Sequence, residues 1–170
     1  MAVDKPCGMN PARTESLRVF YAENRQQLYT YAVSITRQRE AAEDAIQQAF
    51  QQLLHREKWV ADLRPYVFRC VRNAAVDGLR RARVRGDTIL ADIAPADQAT
   101  PAAPGPLLAD EWGERLEKLS PDERETIVLK IYDDFTFREI AELRGVPLAT
   151  VASWYRRGLD RLRILFEEIP

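Results

Sequence analysis

Cysteine and histidine are scarce in this sequence, with 2 and 1 respectively among 170 residues. Neither Cys7 nor Cys70 has partners at metal-ligand spacing, so no metal site is expected. Cys70 falls on an apolar helical face and reads as a small core residue. No apolar run approaches the roughly 18 residues of a membrane span. Residues 1–13, MAVDKPCGMNPAR, lack the apolar core of a signal peptide, so a cytoplasmic location is expected. Charge of one sign is also missing: the formal net charge is -1, which rules out a uniformly basic coat for nucleic acid. No nucleophile–base pair, carboxylate pair or phosphate-cradling glycine loop stands out, so neither an enzyme nor a protein with a cofactor or small-molecule ligand is expected.

What the sequence does have is concentrated in residues 136–163, TFREIAELRGVPLATVASWYRRGLDRLR. Thr136 with Glu139 three residues later fits a capping box, and Phe137, Ile140, Ala141 and Leu143 follow at helical spacing. Gly145 and Pro147 end that helix. A second helix places Val151, Tyr155, Leu159 and Leu162 inward, leaving Thr150, Ser153, Trp154, Arg156, Arg157 and Arg161 outward. The pattern is a helix-turn-helix, whose second helix can enter a DNA major groove; the same shape also occurs as a plain packing corner.

Upstream, apolar positions from Leu17 to Ile35 mark one helix, with a possible break near Asn24. A helix over residues 40–55 buries an alanine-rich stripe and turns Asp44, Gln47, Gln48 and Gln51 outward. That face is either simply solvated or a docking surface that carries little charge-desolvation cost. Residues 55–64 read as a loop. In residues 64–85, seven arginines and no lysine stand against the single Asp77. Such a stripe is the electrostatic footprint of a surface that tracks phosphates, since the guanidinium fork matches phosphate geometry.

Residues 86–106 hold Pro95, Pro101, Pro104 and Pro106 without helical periodicity and read as a semi-flexible linker. Drawn out, it would span on the order of 65–70 Å. Ser120-Pro121-Asp122-Glu123 marks another helix start, with Ile127, Val128, Ile131 and Tyr132 expected in its core. The expected architecture is all-α: a disordered lead-in over 1–13, a helical domain over 14–85, the linker over 86–106, and a helix-turn-helix domain over 107–170.

Taken together, the sequence resembles the bacterial RNA polymerase sigma factors of the extracytoplasmic-function (ECF) type over about residues 17–167. AEDAIQQAF (42–50) is similar to the family's polymerase-binding segment, and RPYVFRCVRNAAVDGLRR (64–81) to the segment that opens and reads the minus-ten element. Residues 119–163 are similar to the domain that reads the minus-thirty-five element. The resemblance implies that Asp44, Gln47, Gln48 and Gln51 dock on core polymerase. It places Arg69, Arg72, Asn73, Arg80 and Arg81 along the melted promoter strand, with Trp59 either stacking on a flipped base or serving as core. It assigns Thr150, Ser153, Trp154, Arg156 and Arg157 to the major groove and its phosphates, with Arg161 as a phosphate anchor or solvated. The implied partners are core RNA polymerase, promoter DNA and an inhibitory anti-sigma factor, with the free protein a monomer. The sequence departs from the family at Ala152 and Trp154, where lysine or arginine is common, at Leu148 in place of a polar cap, and at Gly158 in place of alanine. The rival readings are a stand-alone helix-turn-helix regulator, which would need a dimer helix that is not visible, and a helical protein-interaction adaptor.

Overall fold

The computed structural model describes residues 11–56, 60–86 and 111–167, and every regular element among them is a helix. The first domain is built from α1 (Pro11–Thr36), α2 (Arg39–Leu54) and α3 (Leu63–Arg85). The second comprises α4 (Glu111–Glu117), α5 (Pro121–Ile127) prolonged by a π-helical turn (Val128–Tyr132), α6 (Phe137–Arg144) and α7 (Leu148–Glu167). The expected linker and most of the expected lead-in lie outside the described residues. Residues 11–13 are helical, the first turn of α1.

In the first domain, Ala42, Ala45 and Ala49 recur at helical spacing on α2 and are buried. Small side chains there let α2 lie close to its neighbours, with Ile46 and Leu53 filling the remaining space beside Val67, Val71, Ala74 and Ala75 of α3. α1 runs without the break expected near Asn24. The Asn24 amide instead donates to the Phe20 carbonyl one turn back, at 2.9 Å, and so stays inside the helix.

In the second domain both expected helix starts are present. Ser120 Oγ accepts from Glu123 N–H at 3.4 Å while the Glu123 carboxylate accepts from Ser120 N–H at 3.2 Å, and Pro121 follows at the first helical position. Thr136 and Glu139 make the same reciprocal pair at 3.2 and 2.7 Å. Gly145 supplies the left-handed residue (φ 66°) between α6 and α7.

Two core expectations are corrected. Ile131 is 42% exposed, because the π turn inserts an extra residue and rotates it off the buried face, while Leu129 takes a core place. Leu159 is 38% exposed. The inner line of α7 runs Val151, Tyr155, Gly158, Leu162 in steps of four, three and four, and Leu159 lies one residue off that line.

The two domains pack directly on each other. Phe68 of α3, fully buried, meets Phe135 edge-on at 5.0 Å and Tyr31 of α1 at 5.3 Å. Arg124, buried, donates to the carbonyls of Leu116 (2.9 Å) and Leu119 (3.1 Å) in its own domain and to Ser34 (3.2 Å) in the other. Arg64 donates to the Asp133 carbonyl and stacks over Phe135 at 4.6 Å, and Arg37 pairs with Glu117 at 3.2 Å.

Beside that contact, Asp133 is fully buried and neither of its carboxylate oxygens has a hydrogen-bond partner. Burial pushes its pKa up to about 8, with the Arg64 guanidinium opposing and the Asp134 carboxylate adding to the shift. The folded chain therefore holds a proton there that the unfolded chain releases near pH 3.8, and stability from this group falls as pH rises from about 4 to about 8. Asp133→Asn keeps the shape without the ionisation. In urea titrations its stability advantage over the wild type should widen from pH 5 to pH 8 and stop widening above that.

Candidate nucleic-acid interface

The structure sorts the seven arginines of α3 into three groups. Arg69 and Arg80 are exposed, as is Asn73, and their spacing of four and seven residues puts them on one strip of the helix, with Arg83 continuing it. Arg69 lies over the Tyr66 ring at 5.2 Å, so its stem is steadied while its head faces solvent. Arg80 has Asp77 4.0 Å away, an exposed and weak pairing. Arg81 and Arg85 turn toward α2 instead. Arg81 donates to Gln48 Oε1 at 2.9 Å, and with Arg85 it lines a shallow groove whose floor is Ala41, Ala45, Ala74, Ala75 and Gly78 and whose rim carries Asp44, Gln47 and Gln51. The candidate polymerase face and one end of the basic stripe are thus joined by a hydrogen bond. Phe50 is half-buried and meets Tyr21 edge-on at 5.2 Å, while Leu53 beneath it is core.

The third group faces the other domain. Arg72 is 21% exposed and donates from Nε to Glu125 at 2.8 Å. Glu125, itself buried, also accepts from the Tyr31 hydroxyl at 2.6 Å and pairs with Arg144 at 2.9 Å. Burial foremost, then the Glu125 charge, holds the Tyr31 phenol far above its usual pKa, so it stays a donor. Cys70 is half-buried, and burial raises its thiol pKa, consistent with an inert packing role. Trp59 lies outside the described residues.

On α7, Arg156 is exposed and has no partner among the described residues. Ser153 and Asp160 share its side of the helix, one turn to either side. Thr150 and Ser153 are half-buried. Trp154 is half-buried and packs under Arg144, whose guanidinium lies over the indole at 4.7 Å. Arg144 is 6% exposed and also pairs with Asp122 at 2.5 Å. Arg157 and Arg161, both exposed, lean back to the buried Glu123 at 3.6 and 3.0 Å. A Cβ built on Gly158 would stand 2.6 Å from Ile127 Cδ1 and 3.3 Å from Glu123 Cβ, so the missing side chain lets α5 lie directly against α7. Glu123, Glu125, Arg144 and Tyr31 carry this arrangement, and of these the sequence singles out only Glu123, as a helix-start residue. Tyr31 and Arg144 are separated by most of the chain, so no local pattern relates them to Glu125. Arg138, exposed on α6, is a further cation on the helix that crosses the DNA backbone in this motif.

Residues 20–85 match the family described as Sigma-70 region 2, and residues 109–162 match Sigma-70, region 4. The chain belongs to the extracytoplasmic-function group of bacterial RNA polymerase sigma factors. It is 29% identical over 153 residues to RNA polymerase sigma factor CarQ of Myxococcus xanthus, covering 88% of both chains. It is 27% identical over 172 residues to ECF RNA polymerase sigma factor SigL of Mycobacterium tuberculosis, covering 95% of both. Its fold is similar to that of sigma factor RpoE solved with the anti-sigma factor NepR from Bartonella quintana, with a TM-score of 0.73 at 22% identity, over 92% of this chain and 99% of that one. Like its relatives by name, this ECF sigma factor directs RNA polymerase to promoters.

The Glu125 contact closes the two domains on each other. Glu125→Gln keeps an acceptor for Tyr31 but removes the charge that holds Arg72 and Arg144. Breaking a buried pair of this kind costs about 3–5 kcal/mol. The radius of gyration from small-angle scattering should therefore rise in the variant while its helical circular dichroism stays that of the wild type.

Proposed function

We propose that the chain acts in the cytoplasm as a bipartite promoter-specificity subunit with no chemistry of its own, the polymerase supplying catalysis. The first domain binds core polymerase through Asp44, Gln47, Gln48 and Gln51 on α2. The strip of Arg69, Asn73 and Arg80, joined by Arg72 and Arg81 when these are released, follows the melted minus-ten strand. For Trp59, which lies outside the described residues, the family resemblance implies either stacking on a flipped base or a place in the core. The second domain reads the minus-thirty-five element with Arg156 foremost, Ser153 and Thr150 near the groove, and Arg157 and Arg161 on the phosphate flank.

The observation that carries this reading is the pairing of two sigma-family segments, in order, with an exposed arginine–asparagine strip on α3 and an exposed helix-turn-helix on α7. The two promoter elements lie roughly 25 base pairs apart, about 85 Å at 3.4 Å per pair. Arg72 and Glu125, one from each domain, are 2.8 Å apart. Reading both elements at once therefore requires the domains to part, which frees Arg72 for DNA. An anti-sigma partner, as in the solved complex of the similar factor RpoE, would act on the free monomer before polymerase does.

The first test is co-elution of the purified chain with sigma-free core polymerase on a sizing column. A stoichiometric complex is expected; a folded chain that stays apart and dimerises would instead favour a stand-alone regulator. Asp44→Ala with Gln48→Ala should weaken that complex. Arg156→Ala should leave it intact yet lower transcription from a promoter selected out of a random library, by about 5- to 150-fold, the loss of one good bidentate base contact at 1–3 kcal/mol.

A further inference from the structure

Arg157 and Arg161 are the obvious cations on the flank of α7, yet both are engaged within the protein. Glu123 stands between them. Its Oε2 accepts from Arg161 at 3.0 Å and from the Ser120 backbone N–H at 3.2 Å, while Oε1 faces Arg157 Nε at 3.6 Å. The Glu123 side chain is 4% exposed, whereas both arginines are 54% exposed. This asymmetry decides the direction of the effect. An exposed arginine loses little by giving up a partner, but a buried carboxylate left unpaired loses far more than one solvated phosphate contact returns. The arginines are therefore held by the carboxylate rather than the reverse.

Gly158 makes this possible. It lies between Arg157 and Arg161 in the chain, and a Cβ there would stand 3.3 Å from Glu123 Cβ. Alanine at this position would have to displace the tip of Ile127, 2.6 Å away, and shift Glu123 Cβ slightly, which disturbs the carboxylate's approach to its two partners. The departure of this chain from the family's usual alanine is thus coupled to the pairing.

We propose that Glu123 is a positioning residue for promoter recognition: it withholds Arg157 and Arg161 from DNA phosphates and leaves Arg156 as the one unneutralised arginine that the recognition helix brings to the groove. The flank of α7 presents two guanidinium charges already offset by one carboxylate. Upstream discrimination then depends on Arg156 far more than the count of arginines implies, and the upstream contact has a shallow salt dependence. This proposal rests on the reading that α7 meets duplex DNA.

The test uses the full chain bound to core polymerase on the selected promoter, with dissociation constants measured across a salt series. Each phosphate neutralised adds about 0.9 to the log–log slope. Glu123→Gln retains the capping box, in which glutamine substitutes for glutamate. It should steepen the slope by about 0.9 to 1.8 as one or both arginines reach phosphates. Arg157→Ala and Arg161→Ala should leave the wild-type slope unchanged but reduce the steepened slope by about 0.9 each in the Glu123→Gln background. A structural role alone would lower affinity without this background dependence. An unchanged slope in Glu123→Gln, or a loss of slope on Arg157→Ala in the wild type, would overturn the proposal. Arg156→Ala separates the two levels: if it lowers the slope while Glu123→Gln does nothing, the restraint by Glu123 is wrong. If Arg156→Ala also has no effect on slope or discrimination, the error lies in placing α7 on DNA.

Discussion

One buried carboxylate holds the two halves of this protein in their relative orientation. Glu125 reaches from α5 to a tyrosine on α1, an arginine on α3 and an arginine on α6, and so ties four helices of two domains to one point. In a low-dielectric site each of these contacts strengthens the others, and the loss of any one leaves charge exposed to an apolar surround. Clusters of this kind add little net stability over an apolar replacement, because desolvation offsets the attraction. What they impose is geometry. Phe68 and Phe135 supply the apolar area beside it, while the polar cluster and the Arg124 and Arg64 bonds to backbone carbonyls define how the faces align. Every polar group in that contact can instead be satisfied by water, so parting the faces exposes the apolar rings but strands no polar atom.

Arginine is used in this chain in two opposed ways. Where a guanidinium meets buried carbonyls or carboxylates, as at Arg64, Arg72, Arg124 and Arg144, its five donors join separate elements. Where it stands on a solvated strip, as at Arg69, Arg80 and Arg156, it remains available to an outside anion. Arg72 belongs to the first group while the domains are together. Under the proposed function, closure and promoter contact compete for it.

Much of the fold was legible because helix signals are local. The capping boxes at Ser120 and Thr136, the turn at Gly145 and the alanine stripe of α2 each rest on residues within one or two turns of each other. The misread positions share another cause. Ile131 and Leu159 are apolar and at plausible spacing, but one is rotated outward by the π turn and the other falls one residue off the buried line of α7. Asn24, a poor helix former, stays helical because its amide bonds back to Phe20. Periodicity fixes a face to within a residue or so, and packing decides the remainder.

The same division holds for the interface. By itself the sequence determined that the chain is helical, that it resembles a sigma factor in the order of its segments, and which side of α2, α3 and α7 is polar, since these follow from spacing and residue type. Only the tertiary structure decided which arginines are engaged. Arg72 and Glu125 are 53 residues apart, and Arg161 and Glu123 are 38 apart. No local pattern encodes such pairs. They exist because Gly158 lets α5 approach α7, and because α1 and α3 meet α5 and α6 across the domain boundary.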